Sequence, residues 1–241
     1  MMTDTSKKTP MLFLAFDNLK KNPVETMVIA GELADTNKPF GLKFNLDSML
    51  ADRDFLSMVK MMQQFKRPVF ADIKMWNGTR TMEEVVKTFV DLGVDFVNVY
   101  ALADGQLKKA VKVTEGSNTK ILGLTVLSHY DDAYCQKWFR RTFSKAVLDF
   151  SRFAVDAGCH GIILPGTSLK LVRELNIIKV ATGLRPVWFK DSRHEQEATP
   201  ADMVEGGADF AVCGSPILKQ PTKEERIAAF LRILDEMEKS H

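Results

Sequence analysis

Eight short apolar runs recur along the chain, at residues 11–16, 40–44, 68–73, 96–100, 121–127, 161–164, 177–181 and 210–213. Each is nearly continuous in its hydrophobicity, as a strand needs when helices cover its sheet. The segments between them carry helical spacing. Residues 81–92 place Met82, Val85, Val86, Phe89 and Val90 on one side, and Gly93 follows as a stop. Residues 144–157 set Val147, Leu148, Phe150, Phe153 and Ala154 inward before Gly158, and residues 224–237 do the same with Ile227, Phe230, Leu231 and Leu234. Thr199 followed by Pro200 reads as an N-cap and first helical turn. Strand–helix alternation repeated eight times predicts an α/β protein, a single-domain (β/α)₈ barrel over residues 11–241. Residues 1–10 are expected to form a flexible leading segment.

A length of 241 residues fits one such barrel, and 45% hydrophobic residues are enough for its core. Lys and Arg number 33 against 31 Asp and Glu, interleaved, so no basic face is expected and nucleic acid is a poor partner. No run approaches the ~18 apolar residues of a membrane span. The polar start lacks the apolar core of a secretion signal, so a cytoplasmic location is expected. Cys135, Cys159 and Cys213 are widely spaced and odd in number, which suits buried thiols better than disulfides or a zinc cluster.

In a (β/α)₈ barrel chemistry sits at the carboxyl ends of the strands. The polar residues there are Asp17, Lys43, Asp72, Lys74, Asn98, Ser128, His129 and Ser215. Asp72 and Lys74 stand two apart on the third strand and therefore face the same side. Lys43 ends the strand before them. A D-x-K pair alone is equally a structural ion pair at the rim. Three alternating charges at adjacent strand ends instead hold one another ionised and set a proton donor where negative charge develops.

Several segments resemble the orotidine 5′-monophosphate decarboxylase superfamily, in order and across nearly the whole chain. Leu14-Ala15-Phe16-Asp17 is similar to its A-L-D, and Gly41-Leu42-Lys43-Phe44 to the K-V-G segment. Asp72-Ile73-Lys74-Met75-Trp76-Asn77 is similar to D-x-K-x-x-D, the most specific of the set. Thr182-Gly183-Leu184-Arg185-Pro186 resembles P-G-I-R-P, and Thr199-Pro200-Ala201-Asp202-Met203 resembles T-P-x-x-A. The stretch from Gly207 to Ile217 resembles G-A-D-x-x-V-G-R-P-I. The resemblance implies cofactor-free and metal-free decarboxylation of a pyrimidine nucleotide, in uridine monophosphate synthesis, by a homodimer with shared sites. It implies Lys43, Asp72, Lys74 and Asn77 as the catalytic set, with Lys74 as proton donor. Asp17, Thr81 and Ser128 are implied as substrate contacts.

The sequence departs from that pattern at three places. Asn77 stands where the second aspartate is expected, which removes a negative charge. Ser215 and Val187 fall where the phosphate-holding arginine and glutamine belong, so Arg80, Lys190 or Arg193 is expected to supply the anion contact instead. Trp188 and Phe189 either stack on a flat ligand or close the mouth. Two other functions stay open. One is a relative acting on a sugar phosphate as decarboxylase or aldolase, for which metal ligands are thin. The other is a ligand-binding barrel that has lost the reaction.

Overall fold

The structure is a computed structural model and describes residues 8–17, 23–51, 55–190 and 195–240. The strands are β1 (Met11–Phe16), β2 (Phe40–Asn45), β3 (Val69–Met75), β4 (Phe96–Tyr100), β5 (Lys120–Leu124), β6 (Gly161–Pro165), β7 (Ile178–Thr182) and β8 (Phe210–Cys213). They close in sequence order into a parallel barrel, β8 pairing back onto β1 through Met11–Phe210 to Leu14–Cys213. The expected (β/α)₈ architecture is therefore observed.

Among the described residues, ten α-helices surround or cap it: α1 (Pro23–Ala34), α2 (Leu46–Ala51), α3 (Phe55–Gln63), α4 (Thr79–Asp91), α5 (Gly105–Val113), α6 (Asp132–Phe139), α7 (Phe143–Asp156), α8 (Pro200–Gly206), α9 (Ser215–Leu218) and α10 (Lys223–Glu238). Their starts follow local chemistry. Thr199 caps α8 and Thr222 caps α10, each in a reciprocal box with the acidic residue three places on, Asp202 and Glu225. In α4 the buried face is Met82, Val86 and Phe89, as the spacing predicts.

Three details differ from that expectation. β5 ends at Leu124, so Thr125, Val126 and Leu127 already belong to the loop over the mouth. In α7, Phe153 is 41% exposed while Ser151 is buried, its hydroxyl donating to the Val147 carbonyl. In α10, Leu231 is 38% exposed. Helical spacing identifies a face but not its width, and a residue at the margin goes to whichever side the neighbouring helix leaves open. Of the leading segment, residues 1–7 lie outside the described residues.

Alternate strand residues point in and out. Leu12, Leu14 and Phe16 pack outward into the helix layer, whereas Phe13 points into the barrel. The lower interior is a hydrocarbon plug of Phe13, Phe70, Phe96, Leu122, Ile163, Val180 and Phe210. Phe13 meets Phe70 and Phe96 edge to face at 5.5 Å. Gly41, opposite Phe13 in register, makes room for that ring: a Cβ there would fall 2.3 Å from it. One layer higher, the inward positions turn polar, and the candidate site begins.

Candidate functional site

A cavity of about 270 Å³ opens at the carboxyl ends of the strands. Its lining includes Asp17, Lys43, Asp72, Lys74, Ser128, His129 and Ser215, seven residues singled out from the sequence. It also includes Asn45 and Arg185, which sequence reasoning passed over.

The centre is a chain of alternating charge. Lys43, 2% exposed, places its Nζ 2.7 Å from Asp17 Oδ1 and 2.7 Å from Asp72 Oδ2. Lys74 Nζ reaches the same Asp72 Oδ2 at 2.7 Å. Burial alone would favour neutral Lys43, but the carboxylates of Asp72 and Asp17 outweigh it and hold the amine above its ordinary value. Burial would likewise favour protonated Asp72. Lys43 and Lys74 reverse that and hold its carboxyl down at about 2.

Lys74 does not sit on a regular strand. Its φ is +49°, in the left-handed region, and the β3–β4 register shifts between Ala71 and Met75. For a residue with a Cβ this conformation costs about 1–2 kcal/mol, so local contacts must hold it. The Lys74 N–H donates to Asn98 Oδ1 at 2.8 Å, and Asn98 Nδ2 donates to Asp72 Oδ1 at 2.6 Å. Asn45 Oδ1 accepts from Lys74 Nζ at 3.3 Å and from the Leu46 N–H at 3.0 Å.

Across the cavity, Arg185 follows β7 and is 7% exposed. Its Nη1 donates to the Leu184 carbonyl at 2.8 Å, and Glu197 Oε1 lies 3.9 Å from its Nε. Its charge is felt at Cys213, the last residue of β8, where it opposes the burial that pushes the thiol up to about 12. Arg185 lines the same cavity as Gly214 and Ser215, which follow β8. The bend that brings it there needs Gly183, whose φ is +79° and whose Cβ would fall 2.2 Å from the Gln196 carbonyl oxygen. Apart from His129, two carboxylates face two lysines and one arginine in the cavity lining, an excess of one basic group.

The other sequence candidates lie elsewhere. Asn77, Arg80 and Thr81 are exposed and outside the cavity lining, and Asn77 Oδ1 accepts from the Gly78 N–H at 2.7 Å. Val187 and Lys190 are exposed and line an adjoining hollow with Arg185. Arg193 lies outside the described residues. Trp188 is turned away from the mouth, its Nε1 donating to Glu236 at 2.8 Å with Arg232 over its ring. Among the described residues, no group of three or more His, Cys, Asp or Glu is placed to hold a metal ion. No helix among them is long and apolar enough to cross a membrane.

Known proteins resemble this chain in sequence and in fold. Orotidine 5′-phosphate decarboxylase of Streptococcus pneumoniae (strain CGSP14) is 26% identical over 184 residues, 74% of this chain and 78% of that protein. The crystal structure of orotidine 5′-phosphate decarboxylase from Lactobacillus acidophilus superposes with a TM-score of 0.75 at 24% identity, over 95% of this chain and 99% of that one. An uncharacterized conserved protein from Geobacillus kaustophilus superposes with a TM-score of 0.72 at 16% identity, over 94% and 99% of the two chains. These two superpositions are likenesses of fold. A family model described as orotidine 5′-phosphate decarboxylase / HUMPS matches residues 10–230, a span that takes in all eight strands and every described residue of the charged cavity. The chain belongs to the orotidine 5′-phosphate decarboxylase / HUMPS family.

Proposed function

We propose that this protein decarboxylates orotidine 5′-monophosphate or a close analogue without a metal, with Lys74 as the proton donor. The observation that carries the reading is the Lys43–Asp72–Lys74 chain, in which one buried carboxylate holds two ammonium groups at 2.7 Å. A carboxylated pyrimidine laid across it would set its own carboxylate beside Asp72. The bond from ring carbon to carboxylate breaks, carbon dioxide departs, and the electron pair stays on the ring carbon. Lys74 transfers a proton to that carbon from its Nζ, and the neutral amine recovers a proton from solvent. An ammonium already in place stabilises the developing negative charge with no reorganisation, which is where preorganised charge is most effective.

The remaining residues take binding roles. Lys43 and Asp17 together face the ribose, and Ser128 on the loop after β5 faces the base. Arg185 is the anion contact, replacing the arginine that Ser215 lacks; it is buried, and it lines the cavity together with Gly214. Arg80, Lys190 and Arg193 are then secondary. Asn77 is assigned to the neighbouring copy's site in a homodimer. Its exposure, and that of Trp76 at 57% on the same lip, suits a surface that meets a partner.

The direct test follows the absorbance of orotidylate with purified protein. Turnover is expected, and Lys74→Ala is expected to lose it by about 10²–10⁴ with the fold intact. A Lys74→Ala variant keeping more than about a tenth of the wild-type rate would place the proton donor elsewhere.

A further inference from the structure

We infer that Asn98 is a positioning residue for the proton-donating amine. Its one amide locks the backbone of Lys74 to the carboxylate of Asp72. The inference rests on the reading of Lys74 as donor given above, but the geometry behind it is independent of the substrate.

A regular pleat would carry residues 72 and 74 along β3 at about 3.3 Å per residue, both hydrogen-bonded into the ladder with β4. Here the ladder slips between Ala71 and Met75, and Lys74 turns into the left-handed region. The Lys74 N–H then has no ladder carbonyl. A buried N–H without an acceptor is costly, so the irregularity persists only if something else accepts from it. Asn98 Oδ1 does so at 2.8 Å. The other end of the same amide donates to Asp72 Oδ1 at 2.6 Å, which leaves Oδ2 for both lysines. The orientation of the amide is unambiguous: a backbone N–H can only donate and a carboxylate can only accept, so oxygen must face Lys74 and nitrogen must face Asp72.

Asn98 is fully buried on the neighbouring strand and does not line the cavity. It therefore acts through the two residues it ties together. The other side chains fail for plain reasons. Ser and Thr do not span both partners, Gln is a methylene too long, and an ionised Asp would set a second carboxylate against Asp72. Positioning of this kind affects the chemical step more than binding, because a small misplacement of a reacting group acts on the rate.

The test compares Asn98→Ala and Asn98→Asp with wild type in turnover, in affinity for uridine 5′-monophosphate, and in crystals. For Asn98→Ala, kcat is expected to fall by about 10- to 100-fold while nucleotide affinity stays within about threefold. Asn98→Asp places two carboxyl groups side by side, which share a proton and raise one pKa. A protonated carboxyl donates to Asp72 as the amide did. The Asn98→Asp rate relative to wild type is therefore expected to be low at pH about 8 and to recover as pH falls toward about 5.5. A merely structural role predicts no such recovery. Should Asn98→Ala fail to fold, the nearly isosteric Asn98→Asp decides the matter. In crystals, residue 74 should leave the left-handed region in Asn98→Ala, and in Asn98→Asp at high pH. Unchanged kcat, or a wild-type pH profile for Asn98→Asp with residue 74 still left-handed, overturns the inference. If wild type does not turn over orotidylate, the proposed function falls, and residue 74 in the variant crystals alone decides the role of Asn98.

Discussion

Replacing Lys43 with methionine tests the charge network without reference to any substrate. The substitution keeps the length of the side chain and removes its charge. Lys43 is 2% exposed and is the largest favourable influence on Asp72, so its loss strands a buried carboxylate. Breaking a buried ion pair from one side typically costs about 3–5 kcal/mol. Asp72 keeps Lys74 at 2.7 Å and the Asn98 amide, which argues for the lower end, about 3 kcal/mol. In a chain of this size that lowers Tm by roughly 6–12 °C. Adding Asp72→Asn removes the stranded charge, so the double variant should be more stable than the sum of the single losses, by about 1.5 kcal/mol or more. The pH dependence has a definite sign. Asp72 titrates at about 2 when folded against an ordinary 3.8, so its contribution is in place above pH 3.8 and is lost as pH falls toward 2. In Lys43→Met burial gains the upper hand, the folded pKa rises, and ionising Asp72 becomes a cost. The deficit relative to wild type should therefore shrink as the solution is acidified below about pH 4. Urea unfolding of the four proteins measures all of this. A coupling below about 0.5 kcal/mol, with a deficit flat in pH, would falsify the picture of a desolvated network.

Arg185→Met should weaken uridine 5′-monophosphate about 10- to 100-fold while leaving uridine within about threefold, as expected for one charged hydrogen-bonding group. Calorimetry that finds equal losses for nucleotide and nucleoside would remove Arg185 from the anion site. Sedimentation at micromolar concentration should show a dimer, and a monomer would count against a shared site. Asn77→Asp should weaken anionic pyrimidine ligands or raise turnover, since a restored carboxylate repels that of the substrate and helps place Lys74. No change in either would leave residue 77 outside any composite site.

Which of these features could be read from sequence depends on how each is encoded. The barrel was legible because every strand is a nearly continuous apolar run, broken by few polar residues, and Gly93 and Gly158 mark helix ends directly. Asp17, Lys43, Asp72 and Lys74 were legible because charge at the end of an apolar strand is conspicuous. Arg185 was not. It lies in a Gly-Leu-Arg-Pro turn where an arginine reads as a solvated loop charge, and only its burial singles it out. Asn98 was legible as a polar residue at a strand end but its role was not, and Asn45 went unnoticed; both are neutral amides whose importance lies in their partners. Spacing along one strand cannot disclose a hydrogen bond to the next. The left-handed turn at Lys74 was hidden for the same reason. Lysine has no local preference for that conformation, and the cause sits 24 residues away on β4.

The phenyl floor under the charged layer does more than fill space. Four phenylalanines, with leucine, isoleucine and valine between them, form a slab of low polarisability that seals the barrel from below. Water can answer the charges of Lys43, Asp72 and Lys74 only from the open end. Lines of force that would otherwise spread through solvent on all sides are turned upward, out of the mouth, where an arriving anion meets them. The barrel works as a reflector. A residue such as Phe13, distant from any reacting atom, thereby shapes how strongly the site is sensed from solution. A polar substitution there that admitted water beneath the lysines would dim the field without touching a single charge.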